Sequence, residues 1–433
     1  MLSAEENRVL TSTAHDTPMG RVLRRYWLPA AMSAELVADG DPLKVELLGE
    51  KLVAFRDSDG RVGVMDEHCP HRGASLSLGI NADCGLRCLY HGWKMAADGT
   101  ILETPSEPED STFKERIRHV SYPVCERGGF VWAFLGEAGT ETELPDFEWM
   151  DLDPDRIGIQ KIVQECNWVQ AVEGVIDSAH IGYLHSSTYG APEGVDIPGV
   201  AASAGGFAAL TADGRPRLEA ENTSYGFRYA AIRRPRSGEG SQHLRISHFV
   251  APFYGVFPGN DVYDDDHGNL QIFVPVNDVE TMQYYVVYDR GKPLEDHVRQ
   301  WIEDQNRELG IDRDYRRAAR RENGWLQDRE AIRRGESGSG LGTIANEDMS
   351  VQESMGAIYD RTRERLGTSD IAVIRMRRIM LAAARSLADT GAEPPGTAFD
   401  GTLKRARSVD LLAAAEEPWQ SFAVAAGAGA PGA

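Results

Sequence analysis

Apolar residues along this chain fall into short β-type runs in its first third and into longer mixed runs beyond it. Residues 5–28 combine charged and apolar positions at helical spacing, with a break at 15–20. Residues 44–65 then change character. Val45, Leu47, Leu52, Val53, Phe55, Val62, Val64 and Met65 form short strand-like runs, and residues 57–60, Asp-Ser-Asp-Gly, read as a hairpin turn between them. Further short strands are expected around 99–102 and 129–135, so residues of about 40–136 predict a small β-rich module. A turn-rich acidic stretch at 136–155, containing Pro145 and Pro154, marks a boundary. Beyond it, 166–185 has helical character. Strand-like runs recur at 227–232, 244–250, 270–276 and 283–288 and predict a sizeable antiparallel sheet. Residues 294–309 and 371–387 read as helices, and 423–433, almost all Ala and Gly, as a disordered tail.

Composition narrows the function classes. The chain has 433 residues, 42% hydrophobic and 26% charged, which is the balance of a soluble globular protein. A net charge of −21 argues against nucleic-acid binding, which needs clustered Lys and Arg. No apolar run approaches the ~18 residues that a bilayer requires. The start, MLSAEENRVL, lacks a basic segment followed by an apolar one, so no signal peptide and a cytoplasmic location are expected. There is no glycine-rich phosphate loop, hence no expected nicotinamide, flavin or nucleotide site.

The first chemical signal is HCPHRG followed by CLYHGW. Cys69 and His71 are separated by sixteen residues from Cys88 and His91, giving C-x-H-x16-C-x2-H. Each pair brings one thiolate and one imidazole. Zinc sites ordinarily pair like with like. A mixed pair on each of two loops suits a two-iron, two-sulfur cluster with two cysteines on one iron and two histidines on the other, which is the Rieske signature. Exchanging two thiolates for neutral imidazoles raises the potential and makes the cluster a one-electron relay. Arg72, Arg87, Lys94, Arg116 and Arg118 lie near these motifs and form a candidate docking patch for an electron donor, against the alternative of scattered solvated charge.

The second signal is D-x2-H-x4-H at Asp177, His180 and His185. Asp177 and His180, three apart, share a helical face. His180 and His185, five apart, diverge on a straight helix, so the helix is expected to loosen between them, at Gly182. Two histidines and one carboxylate on one face of an iron leave the opposite positions open for oxygen. The spacing does not fix that carboxylate.

With these motifs the chain resembles the oxygenase components of the Rieske ring-hydroxylating family, and within it the phthalate-dioxygenase-like group. The likeness covers nearly the whole chain. It also rests on TPMGRVLRRYWLPA at 17–30, WLQDREA at 325–331 and NEDMSVQESMGAIYDRTRERLGTSD at 346–370. The resemblance implies an α+β fold: a small all-β [2Fe-2S] domain at 27–136 and a larger catalytic domain at 137–415, an antiparallel sheet wrapped by helices of the helix-grip type. A helical segment, 1–26, would pack on the catalytic domain, and 416–433 would be a flexible tail. The resemblance implies Asp348 as the third ligand of a mononuclear Fe(II), with Asp328, Asp360 and Asp370 as competitors. It implies a homotrimer or stacked trimers, in which Asp177 links His91 of the partner subunit to His180 for electron transfer. The partners it implies are O2, an aromatic small molecule and a separate reductase of the flavin and iron-sulfur type.

The expected activity is hydroxylation of an aromatic carboxylate by cis-dihydroxylation. Monooxygenation by the same centre, as O- or N-dealkylation or aryl-ether cleavage, is the alternative, and a Rieske electron carrier without oxygenase activity is a third reading. A carboxylate substrate asks for a buried arginine fork. Arg217, Arg228, Arg233 and Arg245 lie on strand-like segments, and Arg245, with apolar neighbours in HLRISHFV, is the leading candidate, against an internal salt bridge. Val172 and Ile176 are candidates to line the pocket, with core packing as the alternative.

Overall fold

In a computed structural model of the chain, residues 1–189, 213–235, 240–259 and 267–422 are described; the expected tail at 423–433 lies outside them. The chain divides into two compact units. One comprises Thr13–Leu144 with Val274–Asn277, the other Met1–Ser12, Pro145–Phe273 and Asp278–Ala433.

The small unit is built from short antiparallel strands. Leu43–Leu47, Glu50–Arg56 and Val62–Asp66 pair in sequence, joined by the expected turn after Arg56. Alternation along Glu50–Arg56 and its neighbours sends Val53, Phe55 and Met65 into a core completed by Leu76, Leu86, Trp93, Met95 and Ile101. A second sheet of very short strands, Ile80–Asn81, Leu86–Arg87, Lys94–Met95 and Ile101–Glu103, carries the second cysteine–histidine loop.

The large unit holds an eight-stranded sheet among the described residues. Its order is Ile157–Gln164, Thr281–Asp289, His267–Pro275, Tyr254–Phe257, Ser241–Val250, Gly226–Arg233 and Arg217–Thr223, with Val409–Ala414 added against Ser241–Val250. The helix Trp168–Ile176 lies against this sheet. A side chain at Gly255 would put its Cβ 2.5 Å from Val175 Cγ1, so the missing side chain permits the approach. The helices Asp296–Leu309 and Ile371–Thr390 fall where periodicity predicts them.

Three boundaries differ from the sequence expectation. Residues 13–26 belong to the small unit, where Arg24 Nε donates to Glu50 at 2.9 Å; only residues 1–12 group with the large one. Residues 137–144 also stay with the small unit, because Trp27 Nε1 donates to Thr142 O at 2.8 Å and Thr142 Oγ1 to Arg25 O at 2.7 Å. The start of the supposed tail is packed: Trp419 is 3% exposed, donates to Glu219 at 2.8 Å and lies under the Arg228 guanidinium. In addition, residues 27–28 open the strand Trp27–Met32 and do not continue the N-terminal helical stretch, which ends with the helix Pro18–Leu23.

Candidate metal centres

In the small unit, two loops of like construction present the four expected cluster ligands. Cys69 N–H donates to Ala74 O and Gly73 N–H to Cys69 O, both at 2.9 Å. Cys88 N–H donates to Trp93 O at 2.8 Å and Gly92 N–H to Cys88 O at 3.1 Å. Both glycines have φ +74°, a conformation costly for any side chain. Closing each loop four residues after its cysteine thus places both sulfurs alike. The His71 and His91 rings lie 4.5 Å apart, and Trp93 stacks on His71 at 4.7 Å with the planes 2° from parallel.

Cys69 and Cys88 are buried in the apolar core. Burial first, and then the adjacent Cys88 sulfur, push the Cys69 thiol up to about 11 despite a backbone N–H from His71. Thiolates in such surroundings need a positive centre beside them. His91 Nδ1 is buried without a hydrogen-bond partner among the described residues. Two sulfurs and two imidazole nitrogens that call for a metal fit a [2Fe-2S] cluster. The docking patch is corrected at one member: Lys94 is 4% exposed, with its Nζ on Asp83 O at 2.8 Å.

In the large unit, the helix Trp168–Ile176 is capped by Asn167, which accepts from Val169 N–H at 3.2 Å. It is anchored at Glu173, whose carboxylate takes Arg361 Nε at 3.0 Å, Arg361 Nη2 at 2.9 Å and Arg377 Nε at 2.6 Å. The helix stops at Asp177, which has extended backbone (φ −86°, ψ 95°). Asp177 and His180 therefore do not share a helix. The break precedes His180, not at Gly182 as expected, and the short helix Ile181–Leu184 spans the two histidines.

These two histidines meet Asp348, from the helix Ile344–Ser354. His180 Nε2 and His185 Nε2 are 3.2 Å apart and lie 3.3 and 3.2 Å from Asp348 Oδ1. A metal about 2.1 Å from three donors at right angles needs them about 3 Å apart, so this near-equilateral triangle fits one face of an octahedral ion. Burial opposes charge at all three residues, yet mutual attraction outweighs it. Asp348 is held well below the carboxylate range, His180 is raised, and His185 is raised to about 9.

The competing carboxylates are occupied as caps. Asp328 accepts from Ala331 N–H at 2.8 Å, Asp360 from Thr362 N–H at 3.1 Å and Asp370 from Gly367 N–H at 2.6 Å. Asp177 accepts from Ala179 N–H at 2.8 Å, and its second oxygen is 3.8 Å from His180 Nδ1.

The close crossing of two helices makes this meeting possible. A Cβ on Gly174 would sit 1.9 Å from Gln352 Nε2, which belongs to the helix that carries Asp348. Gln352 is itself held by Gln164 Nε2 at 2.6 Å. Gly174→Ala gains about 1 kcal/mol of helix propensity but overpacks this contact at about 1–3 kcal/mol. A lower melting temperature and weaker mononuclear iron binding are expected; an unchanged melting temperature counts against this role of Gly174.

The structure redistributes the substrate candidates. Arg245 is committed to Asp410 at 2.7 Å and to Pro258 O at 3.0 Å, so it forms the internal salt bridge and leaves no fork for a ligand. Val172 and Ile176 are fully buried core residues. Arg217 pairs with Glu219, and Arg228 with Glu221. Arg233 differs. It is 2% exposed, donates Nη2 to Ser178 O at 2.8 Å, and its Nε and Nη1 have no partner among the described residues. Burial, and then the charge of Arg245, pull it down to about 10. One polar group escaped sequence reasoning altogether: Glu347, fully buried, accepts from His185 Nδ1 at 2.7 Å. Its adjacency to Asp348 in NEDM was the only available signal.

The Rieske [2Fe-2S] domain family matches residues 26–121, and the LigXa C-terminal domain like family matches residues 133–428. The chain is 40% identical over 427 residues to the phthalate 4,5-dioxygenase oxygenase subunit of Pseudomonas putida, covering 98% of this chain and 95% of that one. It is 34% identical over 408 residues to the 3-chlorobenzoate-3,4-dioxygenase oxygenase subunit of Comamonas testosteroni, 92% of each. Among solved structures it is similar in fold to Pseudomonas putida CBB5 NdmA with caffeine, with a TM-score of 0.63 at 18% identity, covering 93% of this chain and 100% of that one.

Proposed function

We propose a function from one premise: this chain belongs to the Rieske non-haem iron oxygenases and is an oxygenase subunit of that family. Its cofactors are a [2Fe-2S] cluster and a mononuclear non-haem iron, and it draws electrons from a separate reductase. Our reading is that it hydroxylates an aromatic carboxylate by cis-dihydroxylation. The observation that carries this reading is Arg233, a buried guanidinium tied through Nη2 to Ser178 O, between Asp177 and His180, with its other two nitrogens unpartnered among the described residues. A buried cation with two unsatisfied nitrogens is costly, and a substrate carboxylate would offset that cost. The two curated relatives support the class, since phthalate and 3-chlorobenzoate are both aromatic carboxylates.

In this reading Cys69, Cys88, His71 and His91 hold the cluster, and His180, His185 and Asp348 hold the iron. When bound, the iron supplies oxygen activation at the positions its three protein ligands leave open. Arg233 seats the carboxylate and so fixes which ring carbons face the metal; the gain is orientation. Asp177, with one oxygen 3.8 Å from His180 Nδ1, would link His180 to His91 of the partner subunit, in a homotrimer or stacked trimers. The reductase would be of the flavin and iron-sulfur type.

Coupled oxygen uptake with a compatible reductase tests the reading. Aromatic carboxylates should support uptake and their methyl esters should not. Arg233→Met should cut kcat/KM for the carboxylate by about 10²–10³. It should leave the melting temperature equal or higher, because it removes a buried charge whose hydrogen-bonding groups are only partly satisfied among the described residues. Equal kcat/KM for acid and ester in the wild type would overturn the carboxylate assignment.

A further inference from the structure

We propose that Glu347 is a positioning residue for the mononuclear iron: its carboxylate fixes the His185 ring and balances the charge of the loaded site. The inference rests on the assignment of His180, His185 and Asp348 to that iron.

Consecutive residues of one helix hold opposite edges of one imidazole. Glu347 Oε2 lies 2.7 Å from His185 Nδ1, and Asp348 Oδ1 lies 3.2 Å from His185 Nε2. Successive helical side chains diverge by about 100°, which lets neighbours reach the two nitrogens of a ring that enters between them. An imidazole that donates Nδ1–H to a carboxylate keeps its Nε2 lone pair for a metal. The other Glu347 oxygen accepts from Ser339 Oγ, so both oxygens are held and the carboxylate cannot swing away.

Charge gives the second argument. Two neutral imidazoles, one carboxylate and Fe(II) leave a net positive charge in a buried site. The Glu347 side chain is 0% exposed and the His185 side chain 3%. A second carboxylate brings the loaded site to neutrality, and burial makes that balance matter.

The test uses the full chain with its cluster in place. A chelator removes the mononuclear iron under anaerobic conditions, and Fe(II) is titrated back. Glu347→Ala is expected to weaken Fe(II) binding by about 10–100-fold. Glu347→Gln keeps the volume and an acceptor oxygen but loses the charge, and should fall between. Stoichiometry at saturating Fe(II) should stay at the wild-type level in both, and the cluster absorption should not change. The decisive readout is the rise in melting temperature that Fe(II) produces. A positioning role shrinks that rise, whereas a packing role lowers the iron-free and loaded proteins equally. Wild-type affinity in the Gln variant overturns the charge balance, and wild-type affinity in both variants overturns the proposal. Asp348→Ala separates the premise: if that variant keeps the iron, the ligand assignment fails, and if only it loses the iron, the role of Glu347 fails alone.

Discussion

Asp177→Asn is expected to keep both metal centres and to lose turnover by about 100-fold or more. The exchange is chemically narrow. One Asp177 oxygen accepts from Ala179 N–H at 2.8 Å and closes the turn after the helix Trp168–Ile176. An amide oxygen can take over that bond, so the break that brings His180 into place should survive. The amide cannot accept a second N–H, because its other end is a donor. The second Asp177 oxygen lies 3.8 Å from His180 Nδ1, and the side chain is 31% exposed, so this oxygen takes no hydrogen bond among the described residues and can accept one from outside this turn. If that donor is His91 of the partner subunit, the substitution cuts the path between cluster and iron and leaves both in place. Metal analysis and the cluster absorption should therefore match the wild type. With substrate and O2, the reduced cluster should reoxidise slowly in a single turnover. Wild-type reoxidation in a fully loaded Asn variant would rule out Asp177 as the link.

How much of this was legible in the sequence depended on whether a residue announces itself by pattern or by company. The strands of the large sheet that alternate or run apolar, such as Ser241–Val250 and Thr281–Asp289, lie where periodicity put them. The helix Ile344–Ser354, which carries Asp348, left no such trace. Its buried positions include Asn346, Glu347, Ser350, Gln352 and Glu353, with Met349 the one apolar member. Arg317 serves Ser350 at 3.2 Å and also Asn346 and Glu353, while Trp325 Nε1 donates to Glu353 at 2.7 Å. A helix buried through hydrogen bonds has no apolar stripe to read. The cysteine and histidine motifs were legible because metal chemistry restricts residue types and spacing together. The break before His180 was misplaced for a local reason: the turn is made by Asp177 in extended backbone and its bond from Ala179, which no glycine marks. Arg233 and Arg245 look alike in sequence, each among apolar strand residues. What separates them is Asp410, from a strand more than 160 positions away, which hydrogen-bonds Arg245, whereas Arg233 Nε and Nη1 have no hydrogen-bond partner among the described residues.

The other large effect concerns the carboxylate itself. Asp348→Ala should strip the mononuclear iron while the visible absorption of the cluster persists. The two remaining donors, His180 and His185, are neutral when they bind a metal, so the substitution removes the only anionic corner of the triangle. Breaking a buried charge pair of this kind costs about 3–5 kcal/mol, which is a loss of some 10²–10⁴ in affinity. Three other aspartates provide the controls. Asp328, Asp360 and Asp370 spend their oxygens on backbone N–H groups at 2.8, 3.1 and 2.6 Å. Changing any of them to Ala should remove a cap, at about 1 kcal/mol of stability, and leave iron content untouched. The contrast is therefore between two kinds of loss: bound iron for Asp348, and a little folding stability with the iron retained for its competitors. Stoichiometric iron in Asp348→Ala, or an iron-free Asp328→Ala or Asp360→Ala protein, would move the third ligand elsewhere. It would also detach Glu347 from its role, since that carboxylate orients His185 toward the corner that Asp348 completes.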